Sequence, residues 1–175
     1  RSILREWLRA PPEGVRIVPV RFADGHYRHA DHFAGTLAQA ETVHRDSIVM
    51  PHPGDIFIGL DWAPEATIAA APRLADWRRG GVSTCFVAHD ILPISHPEYF
   101  HPHARQVFDR WLRQVAYLSD CIACVSRTTA DAITAWLAED ARYQFGRSPR
   151  VESFKLGADF SPDVAELSSI RPAVR

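Results

Sequence analysis

No apolar run in the sequence approaches the roughly 20 residues that a helix needs to span a bilayer. Neither a Gly-x-Gly-x-x-Gly turn nor a P-loop occurs in these 175 residues, so a phosphate cradle of either kind is excluded. A serine hydrolase built on a nucleophile elbow would need Gly-x-Ser-x-Gly, and that turn is missing too. Charge of one sign is not in excess: 20 Lys and Arg face 21 Asp and Glu, for a formal net charge of −1. A polyanion held by bulk electrostatics is therefore not expected. The basic residues also lack the aromatic interleaving that binds single strands, which removes nucleic acid from the list of partners. Cysteine is scarce. Cys85, Cys121 and Cys124 all sit inside apolar, strand-like runs, where reduced buried thiols fit better than disulfides. With no signal peptide at the start, these features together point to a soluble cytoplasmic domain.

What the sequence does contain is an alternation of short apolar runs with helical stripes. There is no initiator Met, and Ser2–Leu8 reads as a helix already in progress, with Ile3, Leu4, Trp7 and Leu8 at helical spacing before Pro11-Pro12. Residues upstream are expected from that pattern. Val15–Phe22 reads as a strand, with Pro19 marking an edge or an irregularity. Residues 23–45 are polar and rich in Gly, His and Asp. They read as a surface excursion with a short helix only at Phe33–Ala40. Ile56–Leu60 is expected as a buried strand, followed by a helix that starts near Pro64, breaks at Pro72 and ends at Trp77. The central strand is Val82–Ala88. An irregular stretch, Ile91–His103, precedes the clearest helix, Ala104–Ser119, whose Val107, Phe108, Trp111, Leu112, Val115 and Leu118 form one stripe. Cys121–Val125 is another buried strand. Thr128 with Asp131 resembles a capping box for the next helix, and Arg150–Leu156 is the last strand. This order implies βαβ units: an α/β fold, Rossmann-like, with a mostly parallel sheet flanked by helices.

In open sheets of this kind the ligand crevice lies beyond the carboxyl ends of the strands. Asp61, His89, Asp90, Ser126, Arg127, Gly157 and Asp159 all fall at such ends, on four separate strands, and are expected to converge. His89-Asp90 stands out because two groups costly to bury unpaired follow directly on the most apolar strand. Each residue also has a structural reading. His89 can cap a turn, Asp90 can start the next helix, Asp61 can be a helix N-cap, and Ser126 and Asp159 can cap or turn.

No metal site is expected. His26, His29 and His32 are three apart, but would align only on a helix, and Gly25 disfavours one there. Cys121 and Cys124 look like a redox or zinc pair on paper. In a strand, residues three apart point to opposite faces, so the two thiols cannot readily share a ligand.

Taken in order, four segments carry a resemblance. They are Gly54-Asp55-Ile56-Phe57-Ile58-Gly59-Leu60-Asp61; His89-Asp90-Ile91-Leu92-Pro93 with His96-Pro97-Glu98-Tyr99-Phe100; Ser119-Asp120-Cys121-Ile122-Ala123-Cys124-Val125-Ser126-Arg127; and Phe154-Lys155-Leu156-Gly157-Ala158-Asp159. Together they resemble the N-terminal domain of family 4 glycosyltransferases, and the first segment resembles the members that build bacterial surface polysaccharides such as lipopolysaccharide. The resemblance implies a GT-B enzyme, two Rossmann-like domains facing a cleft, with retaining transfer and no metal or other cofactor. Residues 1–160 would be the acceptor-side domain and 161–175 a linker or tail. The donor-binding domain would lie outside this chain, as would the family's first strand and turn, so the chain alone is expected to be inactive. His89 would lie near the transferred sugar, with Asp90 orienting it. Asp61, Ser126, Arg127, Gly157 and Asp159 would contact substrates. The implied partners are a nucleotide-sugar donor and a saccharide or lipid-linked saccharide acceptor. The implied activity is hexosyl transfer, with mannose one candidate, in the cytoplasm and in peripheral contact with the inner face of the membrane. The alternative from another class is a non-catalytic Rossmann-like module that binds a ligand or partner.

Overall fold

The computed structural model describes residues 2–38, 46–140, 143 and 147–155. It opens with helix α1 (Ser2–Arg9), which packs on α2 (Asp31–Ala38) through half-buried Ile3, Leu4, Trp7 and Leu8. Between them lies a hairpin, β1 (Val20–Ala23) and β2 (His26–His29), paired antiparallel in a sheet of its own. This corrects two expectations. The strand read at Val15–Phe22 is regular only from Val20, because Pro19 has no N–H to pair; its carbonyl accepts from Ala30 N–H at 2.9 Å. The excursion at 23–45 instead begins as the second hairpin strand, and the part at 39–45 lies outside the described residues. The turn is Asp24-Gly25, with φ of 51° and 75°, the paired positive values that a tight two-residue hairpin turn requires.

The main sheet holds four parallel strands in the order β3 (Ile56–Gly59), β4 (Ser83–Ala88), β5 (Cys121–Cys124), β6 (Arg150–Ser153). Each strand lies beside the next one in sequence, the commonest arrangement for consecutive strands. The connecting helices are α3 (Pro64–Arg79), α5 (Pro102–Leu118) and α6 (Arg127–Glu139). All three share one core with Phe86, Ala88, Ile122 and Cys124, which puts them on the same face of the sheet. Leu74, Leu112, Val115, Leu118, Ile122 and Ile133 are fully buried there. The expected α/β Rossmann-like architecture is the one observed.

Four local expectations change. β3 is an edge strand in the described sheet, so Ile56 is 65 % exposed rather than buried. Helix α3 runs unbroken through Pro72. That residue lies on the exposed side, where its missing N–H leaves the buried stripe of Thr67, Ala70 and Leu74 intact. The stretch after His89-Asp90 is not irregular throughout: it contains a one-turn helix α4 (Leu92–Ser95) and a 3₁₀ turn at Pro97–Tyr99. Helix α6 is capped by Ser126, whose hydroxyl accepts from Thr129 N–H at 3.1 Å, so the cap precedes the expected Thr128 box. Gly59 is required by close approach, since a Cβ there would run into the Phe86 ring.

At the amino ends of the strands Asp120 locks three elements together. Its Oδ2 accepts from Thr84 N–H at 2.7 Å and from Thr84 Oγ1 at 3.2 Å. Its Oδ1 accepts from Arg78 Nη2 at 3.2 Å and from Arg147. Among the described residues no helix is long and apolar enough to cross a membrane.

Candidate functional site

Parallel pairing brings the carboxyl ends of β3, β4, β5 and β6 to one edge. Asp61, His89 and Asp90, and then Ser126 and Arg127, follow directly on the first three. Gly157 and Asp159, expected beyond β6, lie outside the described residues. Asp61, His89, Asp90 and Arg127 are all exposed, which makes this edge an open shelf.

His89 is the best-positioned of the group. Its Nε2 stands 3.4 Å from the carbonyl oxygen of Leu60, which accepts when the ring carries its proton there. The imidazole therefore leans across to the end of β3. Its backbone is held from the other side, since the Thr129 hydroxyl donates to the His89 carbonyl at 3.3 Å. Thr129 in turn meets Ser126 Oγ at 2.9 Å. Ladder bonds continue past the strands, from Val125 N–H to Ala88 O at 3.2 Å and from Phe154 N–H to Cys124 O at 2.9 Å.

The other candidates take defined local roles. Asp90 accepts from Leu92 N–H at 3.1 Å, an Asx turn that sets the direction of the chain into α4. Ser126 is the α6 cap. Arg127 is the first residue of that helix, so its guanidinium starts from the end where 13 aligned peptide dipoles concentrate positive potential. Asp61 caps nothing: the residue before α3 is Ala63, and no side chain caps that helix. Thr129 and the Leu60 carbonyl escape the sequence reading because both act on His89 across long sequence separations. Their signal is tertiary.

The cysteines are placed for packing. Cys124 faces the core, and Cys121 faces the opposite way, beside its register partner Cys85. Burial pushes the Cys85 thiol up to about 12, and the neighbouring Cys121 adds to the rise. Burial likewise pushes Cys124 up to about 11. Protonated at neutral pH, these two thiols are poor nucleophiles. Of the three spaced histidines, His26 and His29 fall on β2 and His32 on α2. Among the described residues no group of three or more His, Cys, Asp or Glu side chains is placed to hold a metal ion. Two concavities lie away from the shelf. One of about 300 Å³ sits between the hairpin and α3, lined by Tyr27, Arg73 and Trp77 among others. The second, about 640 Å³, lies between α6 and the start of β6.

No family model matches the chain, and no solved structure matches it significantly. Three curated Escherichia coli proteins do, each named serotype-specific mannosyltransferase WbdA. Each is 31% identical to the chain over 167 residues, covering 94% of this chain and 20% of its own length. The chain thus spans about one fifth of the curated relatives it matches, and it resembles that one stretch of them almost from end to end.

Proposed function

We propose that this chain is the acceptor-side domain of a retaining glycosyltransferase of GT-B architecture, in family 4. In this reading the full-length enzyme transfers a hexose from a nucleotide-sugar to a growing saccharide in the assembly of lipopolysaccharide or an O-antigen-type polysaccharide. Mannose is the first candidate, from the name of the curated relatives. The observation that carries the reading is the setting of His89. Its ring is exposed beside the end of β3, and its backbone is tied through Thr129 to the first turn of α6.

That setting suits the chemistry. A departing nucleoside diphosphate gathers negative charge, and donors already aimed at it lower the barrier without reorganisation. The α6 N-terminus and Arg127 supply positive potential on one side; on the other, the His89 ring, with Nε2–H on the Leu60 carbonyl, donates from Nδ1 when both ring nitrogens carry protons. Asp90 shapes the turn that follows His89. Asp61 faces the acceptor, Ser126 fixes the start of α6, and Gly157 and Asp159 contact substrate beyond β6. Residues 1–160 form the domain and 161–175 lead toward a donor-binding domain. The full-length enzyme works in the cytoplasm against the inner face of the membrane, with a saccharide or lipid-linked saccharide as acceptor.

The test is sugar transfer by the full-length protein carrying this sequence. His89→Ala is expected to lower kcat by roughly 10²–10³, the range for losing one pre-aimed donor. Turnover within threefold of the parent protein removes His89 from the reaction centre.

A further inference from the structure

One large side chain on the shelf is unexplained by packing. Trp62 follows Asp61 just beyond β3 and is 53 % exposed, although tryptophan is highly buried on average. Its indole is nonetheless supported. The ring centroid lies 6.5 Å from that of Phe108, which is 7 % exposed and stands 5.4 Å from Trp111 in the core. The side toward α5 is therefore backed by buried rings, while about half of the side chain is open to solvent. Two residues before Trp62, the Leu60 carbonyl meets the His89 imidazole. An exposed carboxylate and a propped aromatic ring thus follow, in the chain, directly on the residue whose carbonyl meets the exposed imidazole.

A pyranose has surfaces that match this group. One face of the sugar presents a patch of C–H bonds, and the rim carries hydroxyls. The negative face of an indole attracts polarised C–H groups, and tryptophan gives a large apolar area with few rotatable bonds. A carboxylate accepts from two neighbouring hydroxyls, in charge-assisted bonds about twice as strong as neutral ones.

We propose that Trp62 and Asp61 form a pyranose platform, with the acceptor sugar stacked on the indole and its hydroxyls held by the Asp61 carboxylate. This proposal rests on the glycosyltransferase reading and names where its acceptor lies. Trp62 binds and positions; it takes no part in proton or bond transfer.

Two measurements decide it. In the first, the chain is titrated with a linear manno-oligosaccharide while the Trp62 indole N–H resonance is followed, assigned by its loss in Trp62→Phe. A saturable shift is expected. Calorimetry should then show affinity at least tenfold weaker in Trp62→Ala, within about threefold in Trp62→Phe, and at least threefold weaker in Asp61→Asn. No shift of the resonance overturns the platform. In the second, sugar transfer by the full-length protein is split into its constants. Trp62→Ala is expected to raise the acceptor KM at least tenfold, with kcat and the donor KM within threefold, and Trp62→Phe to restore it. An unchanged acceptor KM in a folded Trp62→Ala protein overturns the proposal; if that variant does not fold, the acceptor KM of Asp61→Asn decides. A parent protein that transfers no sugar defeats the functional reading alone, because the titration still answers for the platform.

Discussion

At the amino ends of the strands, Asp120 is 22 % exposed and accepts from Thr84, Arg78 and Arg147. At the carboxyl ends, about 20 Å away along a six-residue strand, Asp61, His89, Asp90 and Arg127 stand in solvent. Both edges collect charged groups from strand ends, and the same pairing brings each set together. They differ in satisfaction. The amino edge saturates its carboxylate and so ties α3, β4 and β5 into one unit. The carboxyl edge leaves its polar groups available, with backbone bonds only positioning them. A charged cluster that answers its own demands is structural, while one that is held in place and left open is suited to a ligand.

This contrast can be broken experimentally. The largest effect expected is on Asp120→Ala, which leaves the Thr84 N–H without its acceptor and Arg78 with the Tyr117 carbonyl but no carboxylate. It should cost about 2–3 kcal/mol in denaturant unfolding, the range for removing one partner of a partly buried charged network. A cost under about 0.5 kcal/mol would mean that the latch is ornamental. The same carboxylate shapes the acid limb of stability. Burial alone would raise its pKa, but the Thr84 N–H and the Arg78 and Arg147 guanidiniums outweigh burial and hold it below the ordinary 3.8. A group lowered by folding contributes stability that is complete above its unfolded value and fades as pH falls through its folded value. Asp120→Asn should therefore flatten the loss of stability below about pH 4, measured by thermal melts across pH.

Smaller effects are expected at the other edge. Ser126→Ala removes the α6 cap and should cost about 1 kcal/mol. His89→Ala, at an exposed position, should change stability by less than about 0.5 kcal/mol. If His89→Ala destabilises the chain as much as Asp120→Ala does, the two edges are alike and the functional reading of the open one falls.

Much of this was legible in the residues. Ile122 and Cys124 alternate with Cys121 and Ala123, and the stripe from Phe108 to Leu118 could only be a buried helix face. The hairpin was harder. Asp24-Gly25 carries a tight-turn signal, but His26, Arg28 and His29 hide the strand after it, because Tyr27 alone of β2 is buried. Ser126 reads in the sequence as a possible cap beside the Thr128 box, and the structure selects it, with its hydroxyl accepting from Thr129 N–H. Asp61-Trp62 reads in the sequence as the end of a strand, and nothing local shows that the indole stays half exposed against Phe108.

Local periodicity by itself determined the kinds of element, the inward faces, the fate of Cys124 in the core and the candidacy of polar residues at strand ends. Those are properties of chemical groups a few residues apart. Only the tertiary structure decided the strand order β3-β4-β5-β6, the lean of His89 toward Leu60, the Thr129 hydroxyl beneath it and the burial of Asp120 among arginines. Each of these joins groups far apart in sequence. Such pairings are chosen by how whole helices and strands pack, and no local pattern encodes that choice.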